Sequence, residues 1–353
     1  MYFQWRAAKF GPEKFHAAIL GHRGESSRTF VECSALGAEL RQLGELKGSR
    51  VVADVAMLLD WDAKWALAAP DSLPTNRLSW IGQARDWHRA TFTLGVTVDL
   101  VRAGADWSGY KVLLVPNLYL ATPALAARLE AFAAAGGTVV VGAFSGVVDH
   151  NDHVYPGGAP GPLRPLLGVE VDEVWPLPDG ESGQVVMDGA RHAIHTVSEW
   201  LDAVDAKTVA SYSGGELDGR PAVTARRHGD GAAWYLSCAL ARDGLLTLVR
   251  RILDESGVPV RDGAGPDVEV VVRRGADASF TFVLNRGTAA LDVAVPADAA
   301  VLVGGEAAPG GRSGAVAAAG AVRRLAARGV LVVRHDPADT VRVVAESARL
   351  QTV

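Results

Sequence analysis

Between residues 46 and 260, short apolar runs alternate with segments of helical spacing, and this alternation constrains the fold more than any other feature. The run Val51–Leu59 is nearly all apolar, as in a strand buried on both faces of a sheet. A β-α-β-α order predicts an α/β domain with a mostly parallel, doubly wound sheet. The predicted strands are Val51–Leu59, Val96–Leu100, Lys111–Pro116, Thr138–Gly142, Thr208–Tyr212, Ala222–Arg226 and Ala232–Ser237, and the predicted helices are Trp80–Thr93, Pro123–Ala135 and Asp243–Ser256.

The segments on either side of this domain have a different character. Residues 1–45 contain an apolar and aromatic stretch, Met1–Trp5, which is predicted to be a strand, and a helix around Phe30–Leu40 with a serine or threonine cap among residues 26–29. One strand and one helix cannot enclose a core alone. Residues 261–353 carry short alternating segments separated by charged turns, which predicts a small antiparallel β domain.

The predicted strands of this last domain are Val268–Arg273, Ser279–Asn285, Ala290–Val295, Ala300–Val303 and Val330–Arg334. Two stretches rich in glycine are predicted to be loops, Tyr155–Pro165 in the α/β domain and Ala307–Gly320 in the β domain.

Charge and composition exclude several classes of function. The 353-residue chain has a formal net charge of −5, so no broad attraction to nucleic acid or to an anionic membrane is expected. Neither a signal peptide nor an apolar run of membrane-spanning length is recognisable. Cys33 and Cys238 are the only cysteines, and we expect both to be reduced and buried, which favours a cytoplasmic location. No glycine-rich phosphate loop follows a strand, and no cofactor is expected.

Four stretches of the chain together resemble the glycoside hydrolase family 42 β-galactosidases. They are Phe3-Gln4-Trp5-Arg6, Glu13-Lys14-Phe15-His16, Tyr110–Asn117 and Phe282–Asn285. The resemblance implies the order of that family: a catalytic (β/α)8 barrel, then an amidotransferase-like (flavodoxin-like) trimerisation domain, then a small antiparallel β domain. Residues 1–45 would be the last strand and helix of the barrel, 46–260 the trimerisation domain, and 261–353 the β domain.

The same resemblance assigns a role to two residues. Glu13 and His16 match the pair that the family uses to hydrogen-bond galactose hydroxyls, and a carboxylate and an imidazole are suited to that task. Retaining hydrolysis of terminal β-D-galactosides needs two carboxylates about 5 Å apart. In the family both lie upstream of the segment that matches Met1, so no catalytic residue is assigned to this chain. The resemblance implies a galactoside as substrate of the intact enzyme, a homotrimer, and no activity of this chain alone.

Two other functions remain open from the sequence. One is a non-catalytic oligomerisation or binding module that acts with a separately encoded barrel. The other is an amidotransferase-like enzyme, which would need a nucleophile at a strand-to-helix turn. Cys238 and Ser145 both follow predicted strands, but neither has the glycine spacing of such a turn.

Two further groups of residues invite a functional interpretation. The stretch His150-Asn151-Asp152-His153, with Asp149 beside it, and also the pair His192 and His195, have spacings found in metal sites, although a polar turn is the simpler interpretation. The aromatic group Trp61, Trp65, Trp80 and Trp87 is expected to lie in the core or at an interface rather than to stack on sugars. Trp61 and Trp65 would then be covered by the barrel of a trimer partner.

Overall fold

The structure is a computed structural model that describes residues 3–69, 75, 77–261, 265–307 and 321–344. The described chain forms two compact units. The first contains the described residues of 1–51 and 271–344, and the second contains those of 52–270.

Both helices and strands occur in the described chain, and each type is numbered in chain order. The α-helices are α1 (Arg28–Gln42), α2 (Trp61–Leu67), α3 (Trp80–Thr93), α4 (Pro123–Ala134), α5 (Arg164–Leu167) and α6 (Arg242–Glu255). Short 3-10 helices occupy Gly24–Ser26, Gly44–Leu46 and Gly161–Leu163. The strands are β1 (Arg50–Val51), β2 (Val55–Leu58), β3 (Val98–Val101), β4 (Val112–Val115), β5 (Thr138–Gly142), β6 (Val169–Pro176), β7 (Gly183–Met187), β8 (Ala190–Ala203), β9 (Lys207–Tyr212), β10 (Pro221–His228), β11 (Gly231–Leu236), β12 (Cys238–Leu240), β13 (Val268–Arg274), β14 (Ser279–Asn285), β15 (Leu291–Val295), β16 (Ala300–Val303), β17 (Glu306–Ala307), β18 (Ala321–Leu325), β19 (Val330–His335) and β20 (Arg342–Val344).

Several helices begin where a polar side chain caps the first turn. Ser27, Asp60, Ser79 and Thr122 each accept a hydrogen bond from the backbone N–H three residues later, at the starts of α1, α2, α3 and α4. A cap of this kind satisfies an N–H group that has no partner within the helix. The predicted cap of the first helix is therefore confirmed at Ser27.

Half of the sheet in the second unit is parallel. Its five strands lie in the order β3-β2-β4-β5-β11, and each is parallel to its neighbours. Side chains on β2 alternate between two cores: Met57 packs in a cluster with α3 and α6, whereas Leu58 packs in a cluster with α4 and α5. Helices therefore cover both faces, and the predicted α/β class is confirmed.

The other half of the same sheet is antiparallel and differs from what the sequence predicts. Beyond β11 the order continues through β10, β9, β7, β8 and β12, and β6 also pairs with β8. The strands β6, β7, β8 and β12 were not predicted. Within the described residues the sheet has eleven strands, and it is mixed rather than mostly parallel.

The first unit is built on two further sheets. One has the strand order β1-β13-β14-β19-β16, and the other has the order β17-β18-β15-β20. Arg50 and Val51 of β1 pair antiparallel with Arg274 and Arg273 of β13. The predicted strand Val51–Leu59 is thus two strands in two different sheets.

Other expectations need correction. Residues 3–5 form no strand, and only an isolated parallel bridge joins Arg6 to Leu20. The predicted loop Tyr155–Pro165 contains the 3-10 helix Gly161–Leu163 and the start of α5. Most of the predicted loop Ala307–Gly320 lies outside the described residues. Within the described part of the chain, no helix combines the length and the apolar character needed to cross a membrane.

Candidate functional site

The sequence-predicted sugar contacts lie at the tip of a loop near the N-terminus. Glu13 and His16 belong to one turn, in which the backbone N–H of His16 donates to the carbonyl of Glu13 at 2.9 Å. Both residues are exposed. The two arms of the loop are held together because the N–H of Leu20 donates to the carbonyl of Trp5 at 2.8 Å. The structure therefore brings the two predicted residues together on one exposed turn.

Aromatic rings surround this turn. The ring of Phe3 meets the imidazole of His16 edge to face, with 5.7 Å between centroids. Phe10 and Phe15 are 86% and 87% exposed. The side-chain Nε2 of Gln4 is buried without a hydrogen-bond partner among the described residues. Exposed rings beside a carboxylate and an imidazole make a surface suited to a polyhydroxylated ligand with apolar faces.

The helix that follows this loop has no buried residue. Along α1, the side chains of Val31, Leu36 and Leu40 are all exposed, although they are apolar. The Ser27 cap and an ion pair between Arg28 and Glu32 at 3.5 Å give α1 its local support. Exposed apolar side chains along a whole helix are typical of a surface that another part of a protein covers.

The tight turn after β5 has the glycine spacing of a hydrolase nucleophile elbow, but phenylalanine stands at its corner and, within the described chain, no helix follows it before Gly161. Gly142-Ala143-Phe144-Ser145-Gly146 places Phe144 at the corner with a φ of 61°. A Cβ on Gly142 would lie 2.0 Å from the carbonyl oxygen of Pro116, and a Cβ on Gly146 would lie 2.1 Å from that of Pro160. Close backbone approaches of this kind demand glycine two residues before and after the corner, as in the Gly-x-Ser-x-Gly elbow of hydrolases. Phenylalanine cannot act as a nucleophile.

The corner is fixed by a wholly buried carboxyl group. Glu199 of β8 accepts a hydrogen bond from the N–H of Phe144 at 2.8 Å and another from the hydroxyl of Tyr235 at 2.7 Å. Its own N–H donates to the hydroxyl oxygen of Tyr212 at 3.2 Å. Desolvation raises the pKa of Glu199 to about 7, although both hydrogen bonds to its oxygens act in the opposite direction. This group could not be found from the sequence, because one glutamate in a strand of mixed polarity gives no signal of burial.

The two candidate nucleophiles are poorly placed for chemistry. Cys238 is buried, and its desolvation and the charge of Glu199 both raise the pKa of the thiol. A reactive thiol needs the opposite, a lowered pKa and some exposure. The hydroxyl of Ser145 donates to the carbonyl of Gly142 at 2.7 Å and accepts from the N–H of Leu118 at 2.9 Å. Both hydrogen bonds stabilise the turn.

Most of the histidines with metal-site spacing have local partners, whereas the Nε2 of His192 is buried without a hydrogen-bond partner among the described residues. The carboxylate of Asp149 accepts from the N–H groups of Asn151 at 2.8 Å and of His153 at 3.0 Å, and these bonds lower the pKa of Asp149. His195 lies opposite Ala239 on the neighbouring strand, and its Nδ1 is 3.0 Å from the hydroxyl of Thr196. Among the described residues, no group of three histidine, cysteine or acidic side chains is arranged to hold a metal ion.

The predicted tryptophans and cysteines differ in how far their side chains are exposed to solvent. Trp80 and Trp87 are buried, as expected for core residues, whereas Trp61 and Trp65 are 53% and 63% exposed. Both cysteines are free, but Cys33 is only half-buried.

Comparisons with known proteins agree on one family. Residues 53–259 match the family model of the β-galactosidase trimerisation domain, and residues 1–43 match that of β-galactosidase. A β-galactosidase of Arthrobacter sp is 42% identical over 294 residues, which is 83% of this chain and 42% of the relative. A β-galactosidase of Heyndrickxia coagulans is 36% identical over 286 residues, covering 81% and 43%.

Solved structures give the same result. A β-galactosidase from Bacillus circulans sp. alkalophilus superposes with a TM-score of 0.85 at 29% identity, over 94% of this chain and 49% of the other. A family 42 β-galactosidase from G. stearothermophilus gives a TM-score of 0.86 at 26% identity, over 95% and 48%. The chain thus spans a little under half the length of these relatives. It belongs to the glycoside hydrolase family 42 β-galactosidases and corresponds to their C-terminal part.

Proposed function

We propose that this chain supplies the trimerisation domain and part of the galactose-binding rim of an enzyme that hydrolyses terminal non-reducing β-D-galactosides with retention. The family match over residues 53–259 carries the proposal. The exposed turn of Glu13 and His16, with the aromatic rings beside it, supports the assignment of the rim.

Finer features of the architecture belong to the same proposal. The strand order β3-β2-β4-β5-β11 corresponds to 2-1-3-4-5 in chain order, the order of flavodoxin-like sheets, which supports an amidotransferase-like domain. The matches to residues 1–43 and 53–259 support a division into a barrel remnant at 1–45, a trimerisation domain at 46–260 and an antiparallel β domain at 261–353. A homotrimer and a cytoplasmic location complete the proposal, and the two free cysteines support the latter.

The exposed apolar side chains of α1 support the proposal that a catalytic barrel packs against this helix. Val31, Leu36 and Leu40 are apolar and exposed on a helix with no buried residue. A barrel in the same polypeptide would cover them, and so would a separately encoded barrel, which is the second candidate function. An amidotransferase-like activity is less favoured, because phenylalanine stands at the elbow and the Cys238 thiol is buried.

A chimera tests the proposed rim. The 353-residue chain would be joined to the part of the Arthrobacter β-galactosidase that precedes its match, and hydrolysis of a nitrophenyl β-galactoside would be measured. Glu13→Gln and His16→Ala should each lower kcat/KM about 10- to 100-fold, because a hydrogen bond to a charged group is worth roughly 1.5–3 kcal/mol. Glu25→Gln, also an exposed glutamate of the first unit, is the matched control.

The unjoined chain provides the second arm of this experiment. We expect it to give no measurable turnover, because a retaining galactosidase needs two catalytic carboxylates and none is assigned to this chain. Turnover by the unjoined chain would contradict that expectation. Equal activity of the Glu13→Gln, His16→Ala and unchanged chimeras would refute the rim assignment.

A further inference from the structure

A histidine beyond the N-terminal loop contacts the turn that carries the proposed sugar contacts. The Nε2–H of His22 donates to the carbonyl oxygen of Lys14 at 2.6 Å. Because a carbonyl oxygen only accepts, this nitrogen carries the proton. Lys14 lies inside the turn that is closed by the bond from the N–H of His16 to the carbonyl of Glu13. The side chain of His22 therefore holds the backbone between the two proposed contacts.

The base of this loop is anchored without His22, whereas its tip is not. The N–H of Ile19 donates to the carbonyl of Gln4 at 3.0 Å, and Leu20 at the end of the returning arm is buried. Residues 9–16 are all exposed. Among the described residues, the hydrogen bonds found along residues 8–18 are the turn's own bond, a contact of His16 with Ala17, and the bond from His22. The bond from His22 is the one that joins the tip to a residue beyond the loop.

This bond fixes the central peptide of the turn. The central peptide joins Lys14 to Phe15, and its carbonyl points in opposite directions in turns of types I and II. Type II requires a positive φ at the third residue, and Phe15 does not have one, so the turn is not of type II. A donor on the carbonyl of Lys14 stabilises the orientation that is found. Glu13 and His16, on either side of this peptide, then keep their directions relative to each other.

The same turn orients the imidazole of His16. Its Nδ1 lies 3.3 Å from the carbonyl oxygen of Ala17, and the ring of Phe3 meets it edge to face. A carbonyl beside Nδ1 favours the tautomer with the proton on that nitrogen, which leaves Nε2 as an acceptor in the neutral ring. The carboxylate of Glu13 is an acceptor too. The turn thus offers two acceptors to the hydroxyl groups of a ligand, and their separation depends on the backbone that His22 holds.

We propose that His22 is a positioning residue that holds the turn of Glu13 and His16 in its galactose-binding form, a role that rests on the proposed rim. It acts through the carbonyl of Lys14 rather than on the sugar. A misplacement of about 1 Å in a contact can cost roughly 100-fold in rate, so one hydrogen bond on an exposed turn has a measurable effect on activity. Its loss should leave the fold intact, because His22 is exposed.

The chimera with the Arthrobacter barrel tests this role. His22→Ala should lower kcat/KM for a nitrophenyl β-galactoside about 3- to 10-fold. His22→Gln should restore most of the loss, because the amide nitrogen of glutamine reaches about as far from the backbone as Nε2 of histidine and also donates. His22→Asn has a shorter reach and should remain as impaired as His22→Ala. Arg23→Ala removes the adjacent exposed side chain, and this control should leave kcat/KM unchanged.

A double-mutant cycle separates positioning from a general structural defect. In the Glu13→Gln background, His22→Ala should lower kcat/KM by less than about twofold more, because the contact that it positions is already weakened. A general defect would cost the same factor in both backgrounds and would also lower the melting temperature of the unjoined chain. Equal factors in the two backgrounds, or equal activities of His22→Gln and His22→Asn, would refute the role of His22.

The remaining outcomes separate this role from the rim on which it rests. Full activity of His22→Ala beside an impaired Glu13→Gln chimera would refute the role of His22 and leave the rim intact. Full activity of both Glu13→Gln and His16→Ala would refute the rim itself, and the role of His22 with it. NMR of labelled histidine rings in the unjoined 353-residue chain needs no activity. Neutral His22 should carry its proton on Nε2, and a proton on Nδ1 instead would rule out the bond to Lys14.

Discussion

The backbone N–H of Phe144 donates a 2.8 Å hydrogen bond to the buried carboxyl group of Glu199. This bond joins the corner of the elbow after β5 to the middle of β8, in the antiparallel half of the sheet. The elbow retains its positive φ and its close-packed glycines, although no nucleophile is present. The turn and its carboxyl partner therefore have a structural role in this chain.

Replacing Glu199 should destabilise the second unit strongly. Glu199→Ala would leave the N–H of Phe144 and the hydroxyl of Tyr235 buried without an acceptor, and each unsatisfied group costs about 1–3 kcal/mol. We expect the free energy of unfolding to fall by roughly 2–5 kcal/mol, measured by urea denaturation at fixed protein concentration. Glu170→Ala, an exposed glutamate on β6, is the control and should change it by less than about 0.5 kcal/mol. Equal effects of the two variants would contradict the role assigned to Glu199.

The stability contributed by Glu199 should depend on pH. Burial raises the pKa of this carboxyl group from 4.5 to about 7, so the folded chain binds the proton more tightly than the unfolded chain. The contribution is then fully present below pH 4.5 and is lost as the pH rises through 7. The difference corresponds to about 3 kcal/mol.

Comparison with Glu199→Gln isolates this contribution, because glutamine does not titrate. Between about pH 4 and about pH 8, the free energy of unfolding of the unchanged chain should fall by roughly 3 kcal/mol relative to that of Glu199→Gln. Urea denaturation at a series of pH values measures both curves. Parallel curves over this range would show that the carboxyl group has an ordinary pKa in the folded chain.

The glycine before the elbow should tolerate no side chain. In Gly142→Ala the new Cβ would lie 2.0 Å from the backbone oxygen of Pro116, which no side-chain rotation can relieve. We expect a loss of about 3 kcal/mol or more in the free energy of unfolding, or an insoluble product. Gly104→Ala introduces a Cβ with no atom within 4 Å, and it should remain within about 0.5 kcal/mol of the unchanged chain. Thermal denaturation measures the stability of both variants. A Gly142→Ala variant as stable as Gly104→Ala would contradict the close approach between residue 142 and Pro116.

The parts of this fold that could be predicted share a local signal. The helix Trp80–Thr93 was predicted with its observed bounds, and in the structure the side chain of Ser79 caps its start by accepting from the N–H of Gly82. Three of the parallel strands, β2, β4 and β5, could be found because they are buried on both faces and therefore consist of nearly continuous apolar runs.

The parts that could not be predicted depend on contacts between residues far apart in the sequence. Strand β8 mixes exposed and buried positions irregularly, because different strands pair with its two ends. Glu199 lies on this strand, 55 residues from Phe144, and no local sequence pattern predicts the hydrogen bond between them. The positive φ of Phe144 could not be predicted either, although the sequence has a glycine two residues before and two residues after it.

The thiol of Cys238 should be inert in the folded chain. It is buried, and burial together with the nearby charge of Glu199 raises its pKa, so almost no thiolate exists at about pH 8. Iodoacetamide at about pH 8 should leave Cys238 unmodified for hours in the native chain and should modify it within minutes in about 6 M urea, as read by peptide mass spectrometry. Half-buried Cys33 is the internal comparison and should react faster in the native chain. Rapid native labelling of Cys238 would show that the strand end opens to solvent, and it would reopen an amidotransferase-like activity that uses this thiol.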